Sequence, residues 1–235
     1  MVQMITSETA EPNAVIRVRF EKRGSLSYIA HLDLVRTFTK VIARAGIPVR
    51  FSEGFNPHPK FSFATAMSIG LESAYEFMDI RLAKMVDEEA LLAALNQNLT
   101  AECPAVEAYY PTTKFTDIAF SSYYIVIETK GASPSLAERC NAALHAPSVV
   151  VYKRSKSGDK DTDIAPFIKE AAVSFEEGKL VVRAMLTADN ARFLNPEYLV
   201  TYLKNSCGIL QGSLMEERYS ILRTGLYTEN GSLFR

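Results

Sequence analysis

Apolar and polar positions alternate from Ala14 to Phe20. Val15, Arg17 and Arg19 fall on one side, Ile16, Val18 and Phe20 on the other, which predicts a strand with one basic and one apolar face. After Arg23-Gly24-Ser25 the period changes to three and four. Leu34, Val35, Phe38, Val41, Ile42 and Ala45 make one apolar stripe, predicting a helix over His31–Ala45 that Gly46 ends and Pro48 stops. Strand segments are expected at Val49–Ser52 and Lys60–Ala64, and another at Glu76–Leu82. A helix over Asp87–Leu99 carries Asp87, Glu88 and Glu89 at the positive end of its dipole, and Ala105–Tyr110 is a last short strand.

The second half repeats the plan. Ser122–Thr129 reads as a strand, and Pro134–His145 as a helix with Ser133 at the N-cap and Pro134 at N1. Val149–Lys153 is a β-branched strand, and Arg154–Asp163 a polar loop. Ile168–Phe175 and Lys179–Leu186 form a hairpin across Glu176-Glu177-Gly178. Pro196–Cys207 is a helix behind Asn195, and Glu217–Tyr227 closes as a strand. The order β-α-β-β-α-β, given twice, predicts an α+β fold of two tandem ferredoxin-like units with antiparallel sheets. Residues 1–13 read as a flexible leader, 14–112 as a basic first unit and 120–235 as a second unit, with the boundary in Pro111–Ala119.

One stretch breaks both periodicities. In Phe51-Ser-Glu-Gly-Phe-Asn-Pro-His-Pro-Lys60, two prolines bracket a histidine, so Asn56 and His58 are both held extended. Gly54 supplies freedom for the turn. Asn56, His58 and Lys60 share one parity, with Phe55, Phe61 and Phe63 as apolar anchors. The same segment also reads as a stiff connector with a polar tip.

Composition adds one point. Net charge is −1, yet between Val15 and Lys60 nine cations stand against three acidic residues, so the front half can attract phosphate. Hydrophobic content of 48% and charged content of 23% are those of a globular chain. Cys103, Cys140 and Cys207 form no CxxC pair, and no stretch approaches about 18 apolar residues, so a cytoplasmic location without a membrane span is expected.

His31 and Asp33 fall in the first turn of the first helix, where the dipole favours a neutral imidazole. That helix packs on strands flanking the proline-rich loop, so His31 and His58 are candidates to converge. Metal ligation by His31, His58 and Asp33 lacks any HxH or HxxxH spacing. GxSxG, GxxxxGKS/T and GxGxxG are all absent. Arg154, Lys156 and Lys160 beside Tyr152 are candidate phosphate contacts, against a solvated loop. Tyr109-Tyr110 and Tyr123-Tyr124 are candidates for stacking bases, against core tyrosines with a wet edge.

Five N-terminal motifs carry a resemblance. They are Arg17-Val-Arg-Phe-Glu-Lys-Arg-Gly-Ser-Leu, His31-Leu-Asp-Leu-Val-Arg36, Arg44-Ala-Gly-Ile-Pro48, the loop from Phe51 to Lys60, and Gly70-Leu-Glu-Ser73. Together they resemble the radical SAM-linked (radical SAM-associated) family built on the DUF2344 domain. Asp163-Ile-Ala-Pro-Phe-Ile168 and Leu222-Arg-Thr-Gly-Leu-Tyr227 resemble its second half. Ser27 and Ala30 depart from the Arg and Ser of the family's pattern. The resemblance implies a gene beside, or fused to, that of a B12-binding-type radical SAM protein. It implies no cofactor in this chain, since no CxxxCxxC run is present, and S-adenosylmethionine and an iron–sulfur cluster on the partner only.

The expectation is therefore a non-redox accessory protein that binds an RNA, tRNA or rRNA, or a ribosome-related substrate, with no DNA or membrane involved. Arg17, Arg19, Lys22, Arg36 and Lys60 would hold phosphate, and Asp33 and Asn56 would contact substrate beside His31 and His58. One alternative is a metal-independent RNA-processing enzyme using His31 and His58 as an acid–base pair. The other is a protein–protein adaptor without RNA affinity.

Overall fold

The computed structural model describes residues 14–65, 67–153, 158–189 and 192–235. The expected leader, and Arg154 and Lys156, lie outside the described residues. The fold is mixed α and β with antiparallel strand pairing, in two compact units: one up to Phe115 together with Arg235, the other Thr116–Phe234. No helix among the described residues is long and apolar enough to cross a membrane.

The first unit contains β1 (Val15–Lys22), α1 (His31–Arg44), β2 (Phe61–Phe63), β3 (Glu72–Arg81), α2 (Glu88–Asn96) and β4 (Ala105–Tyr109). Its sheet runs β4-β1-β3, with β2 on the other side of β3, and every pair is antiparallel. Period two does the sorting. Ile16, Val18 and Phe20 of β1, Met78 and Ile80 of β3, and Leu82 just beyond it are buried in one core with Leu34, Phe38, Val41 and Ile42 of α1. Each large side chain so buried contributes on the order of 1.5–3 kcal/mol. Phe20, Phe38 and Phe63 cluster with ring centres 4.9–5.8 Å apart, Phe63 meeting the other two edge to face and Phe20 tilted on Phe38, which ties β1, α1 and β2 together. Asp87 caps α2, accepting the Ala90 N–H at 2.8 Å.

The second unit contains β5 (Ile118–Glu128), α3 (Pro134–Leu144), β6 (Val150–Lys153), β7 (Lys160–Asp163), β8 (Ile168–Glu176), β9 (Lys179–Thr187), α4 (Glu197–Cys207) and β10 (Arg218–Thr228). Its sheet order is β10-β5-β9-β8, and β6 and β7 form a two-stranded sheet of their own among the described residues. Ser133 caps α3 through the Leu136 N–H at 3.2 Å, with Pro134 behind it. Asn195 accepts the Glu197 N–H at the start of α4.

Two expected elements differ. Val49–Ser52 is no strand: it makes isolated bridges, Val49 to Leu82 and Phe51 to Pro59. Pro57 and Pro59 have no N–H to continue a ladder. Conversely, Lys160–Asp163, expected within a polar loop, is strand β7, because Val150–Lys153 offers it an antiparallel partner. Pairing overrides the poor strand propensity of Lys-Asp-Thr-Asp.

Candidate functional site

Three chain segments meet where the proline-rich loop leaves the first unit's sheet. The Arg50 N–H donates to the Arg81 carbonyl at 2.8 Å, the Arg81 N–H to the Lys60 carbonyl at 2.9 Å, and the Lys60 N–H to the Arg50 carbonyl at 2.7 Å. This closed ring of main-chain bonds holds three cationic residues at neighbouring positions. Beside it, Lys60, Ser62, Asp79 and Arg81 line a shallow pocket of about 280 Å³ with Val15 and Phe61.

Above this base the loop closes on itself. Phe51 bridges Pro59, the Ser52 N–H donates to the His58 carbonyl at 2.8 Å, and the His58 N–H donates to Ser52 Oγ at 2.9 Å. Gly54 turns the tip at φ +119°, a conformation that side-chain-bearing residues rarely adopt. The loop is thus stiffened by two prolines and three local pairings, and still presents Asn56, His58 and Lys60 to solvent. Phe55 is wholly exposed, at 111% of its reference area, and Phe51 is 54% exposed. An aromatic ring held out on a rigid tip has nothing of its own unit to pack on, which marks a contact surface.

The other expected site residues are placed differently. Arg17 has no exposed side-chain surface. Its guanidinium forks onto Asp79 at 2.7 and 2.8 Å, donates to the Thr113 hydroxyl and carbonyl, and lies over the Phe115 ring. It is a buried structural cation, withdrawn from any phosphate. Lys22 is buried too, at 4% exposure, so it also is no surface phosphate contact. Arg19 keeps partial exposure but pairs with Glu107 at 3.5 Å and covers the Tyr75 ring. Arg36 is exposed and bonds Asp33 at 2.9 Å within the first turns of α1.

His31 does not meet His58. Its ring stands edge-on to Phe63 at 5.6 Å and borders a small recess lined by Lys22, Glu76, Phe63 and Thr65. From Phe63 the chain runs five residues back to His58, on the order of 16 Å in extended geometry. Strand register agrees: the recess lies at the Phe20–Glu76 pair and the loop leaves at the Val15–Arg81 end. An acid–base pair needs both groups within hydrogen-bond reach of one bond, and these two positions do not supply that. Among the described residues no three His, Cys, Asp or Glu side chains gather as a ligand set. Cys103, close to Glu76 and Lys22, is held as a thiol: burial first and the Glu76 charge second push it up to about 12, against the Lys22 charge.

Of the tyrosines expected to stack bases, Tyr110 is a strut, its hydroxyl donating to the Val86 carbonyl and accepting the Val86 N–H. Tyr123 is buried. Burial pushes Tyr109 up to about 12, and Arg235 covers its ring. Tyr124 is half-buried and lies along a groove in the second unit. Arg50 enters the sequence analysis only as one of nine front-half cations, and neither it nor Arg81 is among the expected phosphate contacts. The signal available for Arg50 was its symmetry with Lys60: each stands immediately outside the Phe51–Pro59 closing pair.

Residues 15–196 match the family model described as "Uncharacterized protein conserved in bacteria (DUF2344)". No curated protein matches the chain. Among solved structures, a chain in "Crystal Structure of a Cbf5-Nop10-Gar1 Complex" is similar over 91% of this chain at 10% identity and a TM-score of 0.51. This chain spans half the length of that one, and the likeness is of fold alone. A protein from Galdieria sulphuraria aligns over 90% of this chain and 98% of its own at 11% identity, with a TM-score of 0.26, too low to carry an argument. On the match that spans most of its length, the chain belongs to the DUF2344 family.

Proposed function

We propose that this chain is a non-redox accessory protein that binds an RNA or a ribosome-related substrate and presents it to a B12-binding-type radical SAM enzyme. The radical SAM partner rests on the motif resemblance, and with it the assignment of S-adenosylmethionine and the iron–sulfur cluster to that partner. The two units are read as tandem ferredoxin-like modules, in keeping with their matching strand orders.

One observation carries the RNA part. The main-chain ring at Arg50, Lys60 and Arg81 sets cations at the foot of a rigid loop that ends in an exposed aromatic ring. Cations beside an aromatic platform are what a single strand asks of a protein: charge tracks the phosphates while the ring takes a base. With a net charge of −1, attraction for phosphate rests on local groups of cations such as this one. Phosphate contacts of this kind position a strand without reading its sequence. His58 and Asn56, presented beside Phe55, then supply polar contacts to bases or sugars.

The experiment is capture of the partner followed by titration. The tagged chain is purified together with the radical SAM protein, retained nucleic acid is sequenced, and labelled tRNA and rRNA fragments are titrated at low salt. Retained RNA and affinity that falls steeply with salt support the reading. A stable complex with the radical SAM protein and no RNA affinity at low salt makes the chain an adaptor and ends the RNA part.

A further inference from the structure

The second unit carries a cavity that the loop of the first does not use. Along β5, Tyr123, Ile125 and Ile127 are buried, while Ser122 and Tyr124 point to the opposite face. Register puts Tyr124 against Arg183 and Ser122 against Met185, so these four share that face. They line a groove of about 600 Å³ with Glu170, Thr224 and Tyr227, within the size range of small-ligand sites.

Several features of the groove are built rather than incidental. Arg183 lies 5.1 Å over the Tyr124 ring, and Glu176 holds it by a two-pronged contact at 2.6 and 3.0 Å, with Ser174 at 3.1 Å. Its guanidinium plane is therefore fixed as a flat surface on the groove wall. β10 bulges between Arg223 and Gly225, and the extra residue is Thr224, whose hydroxyl meets Ser122 Oγ at 2.8 Å. A bulge re-aims one side chain, here onto the groove. Gly225 is required beside it: a Cβ there would stand 2.8 Å from the Tyr227 ring and 3.0 Å from Ser122 Oγ. Glycine lets Tyr227 lie over the sheet, its hydroxyl 3.5 Å from Ser122.

Charge decides what such a groove accepts. Glu176 neutralises Arg183, and Glu170 adds a further carboxylate, so the site does not attract phosphate. Flat aromatic and guanidinium surfaces, an apolar Met185, a row of hydroxyls and a carboxylate acceptor suit an unstacked heteroaromatic ring whose edge donates hydrogen bonds. We infer that this groove binds a single nucleobase bearing an exocyclic amino group, adenine or cytosine in preference to uracil. The inference rests on the proposed RNA function and adds to it a base-reading site built by the second unit.

The test uses the full chain with its methionine methyls labelled and the Met185 resonance assigned through Met185→Leu. Adenosine, cytidine and uridine are titrated in turn, and then a single-stranded RNA dodecamer. Expected is a saturable shift of the Met185 methyl with adenosine or cytidine and at least severalfold weaker binding of uridine. Tyr124→Phe should retain the shift. Tyr124→Ala, or Gly225→Ala with Tyr227 displaced, should weaken binding roughly tenfold. A Met185 methyl unmoved by every nucleoside and by the dodecamer overturns the inference; so does equal binding of uridine. If the dodecamer binds and only Lys60→Gln and Arg81→Gln reduce it, the groove is refuted while the RNA reading survives. If nucleosides move Met185 but no RNA binds at low salt, the groove stands and the RNA reading falls.

Discussion

Removing the Asp79 carboxylate should strand a buried charge. The Arg17 side chain has 0% exposure and Asp79 18%, and they share two short N–H···O bonds. Each such charged bond is worth about 1.5–3 kcal/mol, and breaking one side of a buried pair generally costs about 3–5 kcal/mol. In Asp79→Ala the guanidinium keeps its two Thr113 acceptors and the Phe115 face, so the lower end, about 3 kcal/mol, applies. For a chain of this size that is a fall of roughly 6–12 °C in Tm, read by circular dichroism and checked by urea denaturation. Arg17→Met with Asp79→Leu, which removes both charges at once, should return to within about 1.5 kcal/mol of the parent. RNA affinity of the folded Asp79→Ala protein should hold or rise, because this carboxylate faces the pocket that Lys60 and Arg81 line. A Tm loss under about 2 °C, together with weakened RNA binding, would refute the burial argument and return Arg17 to the ligand surface.

Other consequences follow from burial and charge. Cys103 and Cys140, both pushed up to about 12 chiefly by burial, should resist iodoacetamide at pH 8 in the native protein and react once urea exposes them, as peptide mass spectrometry would show. Glu176 is held down at about 2 by the Arg183 guanidinium and the Ser174 hydroxyl. A carboxyl depressed when folded stabilises above its ordinary value of 4.5 and loses that contribution as pH falls toward 2. Acid titration of stability should therefore be flatter between those limits in Glu176→Gln than in the parent. Phe55→Ser should leave Tm within about 1 °C, since the ring is fully exposed. It should nevertheless weaken RNA binding by about 1–3 kcal/mol, measured by fluorescence anisotropy.

Much of the fold was legible because two periods do most of the sorting. The stripe Leu34–Phe38–Val41–Ile42 and the alternation along Val15–Phe20 are statements about single elements, and α1 and β1 lie where those statements put them. What the pattern cannot say is who stands opposite. Arg17 and Arg19 share the basic face of one strand, yet register sets Arg17 against Asp79, sixty-two positions away, and buries it. Lys22 extends the same run and is also buried. The proline-bracketed loop was legible as a stiff, solvent-facing tip, because proline and glycine act locally. Its ring of three cations was not, because three main-chain bonds between remote segments make it. In the same way Tyr123 and Tyr124 are indistinguishable as a dipeptide. Only the sheet turns one into core and leaves the other beside Arg183.

The central claim, that the Arg50–Lys60–Arg81 node holds RNA phosphate, is met most directly by a salt series. Labelled tRNA and rRNA fragments are titrated into the parent and into Lys60→Gln/Arg81→Gln from low to physiological salt. Each lost phosphate contact should lower the slope of log affinity against log salt by about 0.7–0.9. The account predicts a double variant that is folded, weaker at low salt, and shallower in slope by roughly 1.4–1.8. Affinity and slope equal to the parent's would contradict it.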